Sequence, residues 1–448
     1  MAATIIDSTL FGDVFSTAAM RNVWSDENRV AQYLAFEAAL AKVQGVFGVI
    51  PAEAAAEIER VCHIDSIDMT LLKAQTERAG TPIVGLVAQI NDLCRDGLGQ
   101  YSHWGATTQD VTDTATVLQI AAALALADAD LQAIGDGLAV LARTHRDTPM
   151  AGRTKLQQAV PVTFGFKMAG LLAAVQRHRE RLVQLRPRVL QLEFAGAAGT
   201  LASLQDAAMQ IQEALAGELG LARPLIAWHT QRDTIAEVGA WLGLVGGTLG
   251  KLAMDVKLLM QTEVGEVFEP TALGRGSSST MPHKRNPVAC NVIHAAISVV
   301  RQHAASLLEA MVGDHERSTG PWEIEWIVLP EAFCLLAGAL AQSRALVEGL
   351  EVDADRMRAN LDMTHGLVVA EAVMMGLAPA MGREHAHQRV SDLCRAAIEQ
   401  RRPLLDLLAG DAEIAAHATR DRLSAMCDPA GYLGQSGVMV DRVLARWN

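Results

Sequence analysis

Gly276-Ser-Ser-Ser-Thr-Met-Pro-His-Lys-Arg-Asn-Pro287 lies between two long helix-like stretches, at about 233–267 and 286–312. Glycine frees the backbone to turn, while Pro282 and Pro287 block simple continuation of a helix. The string is therefore a loop set between helices. It carries hydroxyls at Ser278 and Ser279, a charge at Lys284 and an amide at Asn286, groups suited to an anionic ligand. Taken by composition alone it reads equally well as a polar surface connector.

Outward from this loop the chain stays helical. Residues 26–46 place Leu34, Ala38 and Ala41 on an apolar side, and further long segments follow at about 113–146, 161–192 and 321–350. A segment of roughly 25 residues spans on the order of 40 Å at ~1.5 Å per residue, a length found in bundles and oligomer cores. Pro187 is expected to kink the second of these segments. No strand alternation is long enough to carry a sheet, minor hairpins aside. The reading is all-α with three helical regions. Residues 1–110 form an N-terminal region, residues 111–352 a central helix bundle with the loop near 274–287, and residues 353–448 a C-terminal region.

Composition agrees. Of 448 residues 50% are hydrophobic but only 4% aromatic, which suits a helical core better than a β-rich one. With 38 basic against 51 acidic residues the net charge is −13, which argues against nucleic acid or an acidic membrane surface as a partner. An anionic substrate then needs a local basic pocket. Cys62, Cys94, Cys290, Cys334, Cys394 and Cys427 are scattered without a Cys-x-x-Cys pair, the pattern of reduced cytoplasmic thiols rather than a zinc site or disulfide frame. Uninterrupted apolar runs such as Ile120 to Ala127 are too short to span a bilayer, and no signal peptide is evident at the start of the chain. The expectation is a cytoplasmic enzyme without cofactor or metal.

Two further strings carry chemistry. In His103-Trp-Gly-Ala-Thr-Thr-Gln-Asp110, Thr107 and Asp110 have the spacing of a helix cap, yet a helix start also binds anions through its free N–H groups. In Gly152-Arg-Thr-Lys-Leu-Gln-Gln-Ala-Val-Pro161, Arg153 and Lys155 are cations close together before a helix. Lysine is a fixed cation at neutral pH unless burial lowers its pKa, so Lys155 serves either a substrate carboxylate or the solvent.

These strings together resemble the fumarase/aspartase superfamily over about residues 20 to 440. The loop from Ser278 to Pro287 is similar to that superfamily's Gly-Ser-Ser-x-Met-Pro-x-Lys-x-Asn pattern, with Ser277 in place of a glycine. Thr107-Thr108 stands where a Thr-Ser pair holds a substrate carboxylate, and His103 matches a proton-donating histidine of related lyases. The Gly-Arg-Thr-His-x-Gln pattern is kept at Arg153 and Gln157, but its histidine is Lys155 here. Trp228 and the Ser318-to-Trp326 stretch depart from the adenylosuccinate lyases, and with Asp428-Pro-Ala-Gly-Tyr-Leu-Gly-Gln435 they resemble the bacterial 3-carboxy-cis,cis-muconate cycloisomerases.

The resemblance implies a homotetramer with active sites shared between subunits and a small di- or tricarboxylate substrate. It implies a cycloisomerase forming a carboxymuconolactone. Ser278, His103 and Lys284 are its expected catalytic residues. Thr107, Thr108, Arg153, Lys155, Gln157, Arg232 and Asn286 are expected to bind substrate, with Arg153, Lys155 and Arg232 neutralising its carboxylates. Two rivals stand beside this: a fumarate-releasing lyase acting on adenylosuccinate, and a catalytically silent structural protein like some lens crystallins.

Overall fold

The computed structural model describes residues 3–270, 276, 280–281 and 283–447. Its dominant elements are helices: α1 (Asp26–Val46), α2 (Thr108–Thr144), α3 (Phe164–Val189), α4 (Asp233–Leu259), α5 (Val288–Glu309) and α6 (Pro321–Glu348), with shorter ones toward both termini. The fold is all-α, as expected. α1 has the bounds read from sequence because its local signals agree. The Ser25 hydroxyl accepts Asn28 N–H at 3.2 Å, and Asp26 and Glu27 occupy the first turn, where the helix dipole favours negative charge.

Two boundaries differ from expectation. Residues 161–163 do not open α3 but close a hairpin, β1 (Pro149–Thr154) with β2 (Gln157–Thr163), antiparallel with Thr154 opposite Gln157. Its two-residue turn is Lys155-Leu156, both at positive φ (50° and 66°), a geometry usually carried by Asn-Gly and strained for side chains like these. Leu156 is 79% exposed at the tip. α4 stops at Leu259 rather than near 267, because Val267–Phe268 turns to pair with Glu351–Val352 as a short antiparallel ladder.

By contact the chain groups into two compact units. Unit one comprises Met1–Asp130, His178–Leu249 and Val292–Ala341; unit two comprises Leu131–Arg177, Gly250–Asn291 and Gln342–Asn448. This differs from the three consecutive regions, 1–110, 111–352 and 353–448, which we propose as a division by helix length. In unit one a core of Tyr33, Phe36, Leu40, Ile58, Leu86, Ile90, Phe194 and Ile211 packs α1 against its neighbours. In unit two Val373, Leu377, Val390, Leu404, Leu408 and Leu423 form a core of the C-terminal helices.

α2 and α6 are long and apolar enough to cross a membrane by length and composition, which corrects the expectation drawn from uninterrupted runs. Polar residues interrupt the runs without interrupting the helices. Those polar residues are buried within unit one: Asp110, Asp113, Thr114 and Gln119 of α2 and Glu325 of α6. Such helices are core elements of a large protein. The cysteines are free thiols, four buried and two half-buried.

Candidate active site

The start of α2 is organised by one carboxylate. Asp110 reaches back to accept Thr107 N–H at 2.9 Å, half of a capping box, and also accepts Ala195 N–H at 3.1 Å and Gly196 N–H at 3.0 Å. His229 Nε2 lies 2.7 Å from the same carboxylate and 3.4 Å from Glu193 Oε1. Burial, with Asp113 and Asp110 nearby, pushes the Glu193 carboxyl up to about 9, so it is a neutral acid at pH 7. Asp110, Glu193 and His229 lie within 4.8 Å of one another, close enough to be tested as a cation site. The 2.7 Å His–Asp separation is a hydrogen bond. Two ligands bonded to one zinc at about 2.0–2.1 Å stand roughly 3 Å or more apart. The cluster is a hydrogen-bonded His229–Asp110 pair with Glu193 beside it, and Asp110 fixes the helix start.

Thr107 and Thr108 are half-buried there, and among the described residues no hydrogen bond engages either hydroxyl. Both remain available to an anion, alongside the unsatisfied N–H groups of the first helical turn. His103, four residues earlier, sits at φ +58° and is held by Glu37 of α1, whose Oε1 lies 2.6 Å from Nδ1 and whose Oε2 accepts His103 N–H at 3.1 Å. Burial lowers the imidazole pKa, but the Glu37 charge and hydrogen bond outweigh it, with help from Asp110, and the net direction is up.

One turn further along α2, Asp113 draws Arg232 into an internal ion-pair network. Its guanidinium, 2% exposed, donates to both oxygens of Asp113 (2.7 and 3.0 Å) and to both of Glu325, the Nε bond being 2.9 Å. Burial opposes its charge, but Asp113 and Glu325 hold its pKa above the ordinary value. Burial, with the Asp113 charge, lifts the Glu325 carboxyl, whereas Arg232 pulls it down. The two-sided bidentate geometry favours the ionised arrangement. Arg232 also stacks over Trp228 at 4.9 Å. It is an internal ion-pair partner of Asp113 and Glu325.

The same network recruits the His315-Glu316-Arg317 string. Arg317 donates to Gln109 Oε1 at 2.7 Å and to Gly196 O at 2.8 Å, and Gln109 donates to Asp113 and to His229 O. Trp322 Nε1 donates to Asp113 at 2.9 Å, and the Trp322 and Trp326 rings meet edge to face at 4.8 Å. Both line a cavity of about 550 Å³ with Trp24, Tyr33 and Thr112, a volume within the usual range for small ligands.

In unit two Arg153 is also spoken for. Both its terminal nitrogens donate to the fully buried Glu266, at 2.9 and 2.6 Å, and Asn360 donates to the same carboxylate. The edge of its guanidinium formed by the two terminal nitrogens is occupied by Glu266, and its side chain is still 22% exposed. Lys155 and Gln157 are exposed on the hairpin, Lys284 is exposed, and Asn286 is half-buried with its N–H bonded to Gly276 O at 2.9 Å. Ser278 lies outside the described residues. Flanking that region, Glu269 accepts Ala289 N–H and Cys290 N–H at 3.0 and 2.8 Å, capping α5, and Arg285 pairs with Glu351 and stacks over Phe268. Sequence reasoning missed Glu37, Glu193, Glu266 and Glu325. Glu325 lies in the Ser318-to-Trp326 stretch without having been singled out, the other three stand in no motif, and each is defined by a contact across the chain.

Comparison with known proteins fits this geometry. Residues 11–301 match the family model described as Lyase, and residues 366–443 match the model for the adenylosuccinate lyase C-terminus. The chain belongs to the lyase family of the fumarase/aspartase superfamily. It is 51% identical to the 3-carboxy-cis,cis-muconate cycloisomerase of Pseudomonas aeruginosa, covering 97% of this chain and 96% of that one. It is 54% identical to trans-aconitate decarboxylase 1 of Mycosarcoma maydis, covering 97% and 88%. Among solved structures, that of the 3-carboxy-cis,cis-muconate lactonizing enzyme from Pseudomonas putida superposes with a TM-score of 0.93 at 45% identity, over 98% of this chain and 99% of that one. This lyase-family chain is an enzyme.

Proposed function

We propose that the protein is a 3-carboxy-cis,cis-muconate cycloisomerase. The observation that carries this is near full-length likeness to cycloisomerases in sequence and in fold. A carboxylate oxygen of the substrate adds to the conjugated double bond, negative charge moves onto another carboxylate, and a proton is delivered to the adjacent carbon. No redox change or leaving group is involved, so positioned donors and one proton source suffice. In this reading the Thr107 and Thr108 hydroxyls and the α2 N–H groups hold a substrate carboxylate. Lys284 and Asn286 stabilise the developing charge, with Gln157 a further contact. Ser278 and His103 handle the proton. We further propose a cytoplasmic homotetramer with shared sites, a tricarboxylate as substrate, and no nucleic acid or membrane partner.

Trp322 and Trp326 support this reading over cleavage of a nucleotide substrate. Both lie in the Ser318-to-Trp326 stretch that departs from the adenylosuccinate lyases, and Trp322 Nε1 is committed to Asp113. A second reading, trans-aconitate decarboxylation, is favoured by the 54% identity to that enzyme. Both substrates are unsaturated tricarboxylates in which charge delocalises into a carboxylate, so a similar pocket serves either. Purified protein given 3-carboxy-cis,cis-muconate, trans-aconitate and adenylosuccinate separately discriminates them. The cycloisomerase reading expects rapid loss of diene absorbance with the first, and no rapid CO2 release or fumarate formation with the others. Turnover of trans-aconitate alone would replace it.

With Arg153 and Arg232 paired internally, Lys155 is the remaining second-string cation for a third carboxylate. Lys155→Met should weaken binding of a trianionic competitive inhibitor about ten- to a hundredfold, the worth of a charge-assisted hydrogen bond of roughly 1.5–3 kcal/mol. Inhibitor affinity and kcat measured separately check this. A fall in kcat with unchanged affinity would assign Lys155 to proton transfer instead.

A further inference from the structure

Glu37 is a full carboxylate inside the unit-one core, its side chain 0% exposed, on a helix face otherwise made of Tyr33, Phe36 and Leu40. A buried carboxylate is costly unless its oxygens are bonded. Here both oxygens serve one residue, His103: Oε1 meets the ring at Nδ1 and Oε2 accepts the backbone N–H. The arrangement fixes the ring and also holds a non-glycine residue at positive φ.

Other histidine–carboxylate pairs differ. His229 is sealed at 3% exposure among Asp110 and Glu193, His303 lies 3.2 Å from a part-exposed Glu331 without a hydrogen bond to it, and His385–Glu413 is an exposed surface pair. His103 keeps 19% exposure, beside the Thr107-Thr108 helix start. With Nδ1 engaged by Glu37, only Nε2 is left to exchange a proton.

We propose that Glu37 is the positioning residue of a His103–Glu37 dyad that makes His103 Nε2 the proton-delivering atom of this enzyme. The inference deepens the proposed function and rests on its assignment of His103 to proton transfer. The superfamily histidine of the second string is Lys155 here, so the dyad supplies an imidazole from a different region of the chain. In the neutral imidazole Nδ1–H donates to Glu37 and Nε2 carries the lone pair. In the cation Nε2–H is the acid, and on delivering its proton to the substrate carbon the ring returns to that neutral tautomer. The charged groups facing His103 are Glu37 from α1 and Asp110 from the α2 start, and both favour the cation.

The test uses Glu37→Gln, which keeps the volume and one acceptor oxygen but removes the charge. Its kcat should fall about ten- to a hundredfold with little change in KM. Because protonated His103 is the acid, activity falls as pH rises through its pKa. Removing the Glu37 charge lowers that pKa, so the falling limb moves to lower pH, and Glu37→Asp should restore it in part. In a His103→Asn background the same substitution should cause no further loss, since Glu37 acts through the ring. Losses that multiply would overturn the proposal, because they assign Glu37 a separate structural role.

A second measurement needs neither substrate nor variant. The pH dependence of diethylpyrocarbonate modification at His103 in the wild-type protein, read by peptide mass spectrometry, should have its midpoint above the ordinary value of about 6.5. A midpoint at or below that value overturns the dyad whatever the substrate proves to be.

Discussion

Replacing Arg232 by methionine should lower stability by about 3–5 kcal/mol, because breaking a buried ion pair leaves its partners charged and uncompensated. The side chains of Arg232, Asp113 and Glu325 are only 2%, 2% and 3% exposed, so water cannot take over. Gln109 and Trp322 would still donate to Asp113, but neither carries a charge. Denaturant midpoints, taken at one protein concentration to hold assembly constant, measure the loss. Neutralising the partners as well, with Asp113→Asn and Glu325→Gln, should recover most of it. A single variant within about 1 kcal/mol of wild type would mean the three groups do not behave as a charged cluster.

The largest effect on rate is expected at Ser278. Ser278→Ala should reduce kcat by about 10²–10⁴-fold, the usual contribution of a positioned acid–base group, with the denaturation midpoint and oligomeric state unchanged. A serine hydroxyl exchanges protons poorly near neutrality, so it depends on nearby cations; its own loop carries Lys284 and Arg285, and Arg285 pairs with Glu351. Pre-steady-state turnover of the variant separates the proton step from product release. Near wild-type kcat would remove Ser278 from the mechanism.

Local strings were legible where local physics decides. α1 was readable to the residue because Ser25, the acidic first turn and apolar spacing all agree. The hairpin was not, since Lys155-Leu156 lacks the asparagine or glycine that normally marks such a turn. His103, Thr107 and Thr108 stood out as a string at a helix start. Their supports did not: Glu37 lies 66 positions from His103, and Glu325 lies 93 from Arg232. Sequence shows that Arg153 and Arg232 are cations but not that Glu266, Asp113 and Glu325 neutralise them inside the protein. Charge alone therefore does not tell which cations are engaged inside the protein.

The central claim is that an internal carboxylate adds to the diene and a solvent-derived proton is delivered to carbon. Proton NMR of the product formed from 3-carboxy-cis,cis-muconate in D₂O tests it most directly. The account predicts a lactone retaining every substrate carbon and carrying one deuterium on the carbon next to the carboxylate that took up the negative charge. Unchanged diene, or a product one carbon shorter, would contradict it.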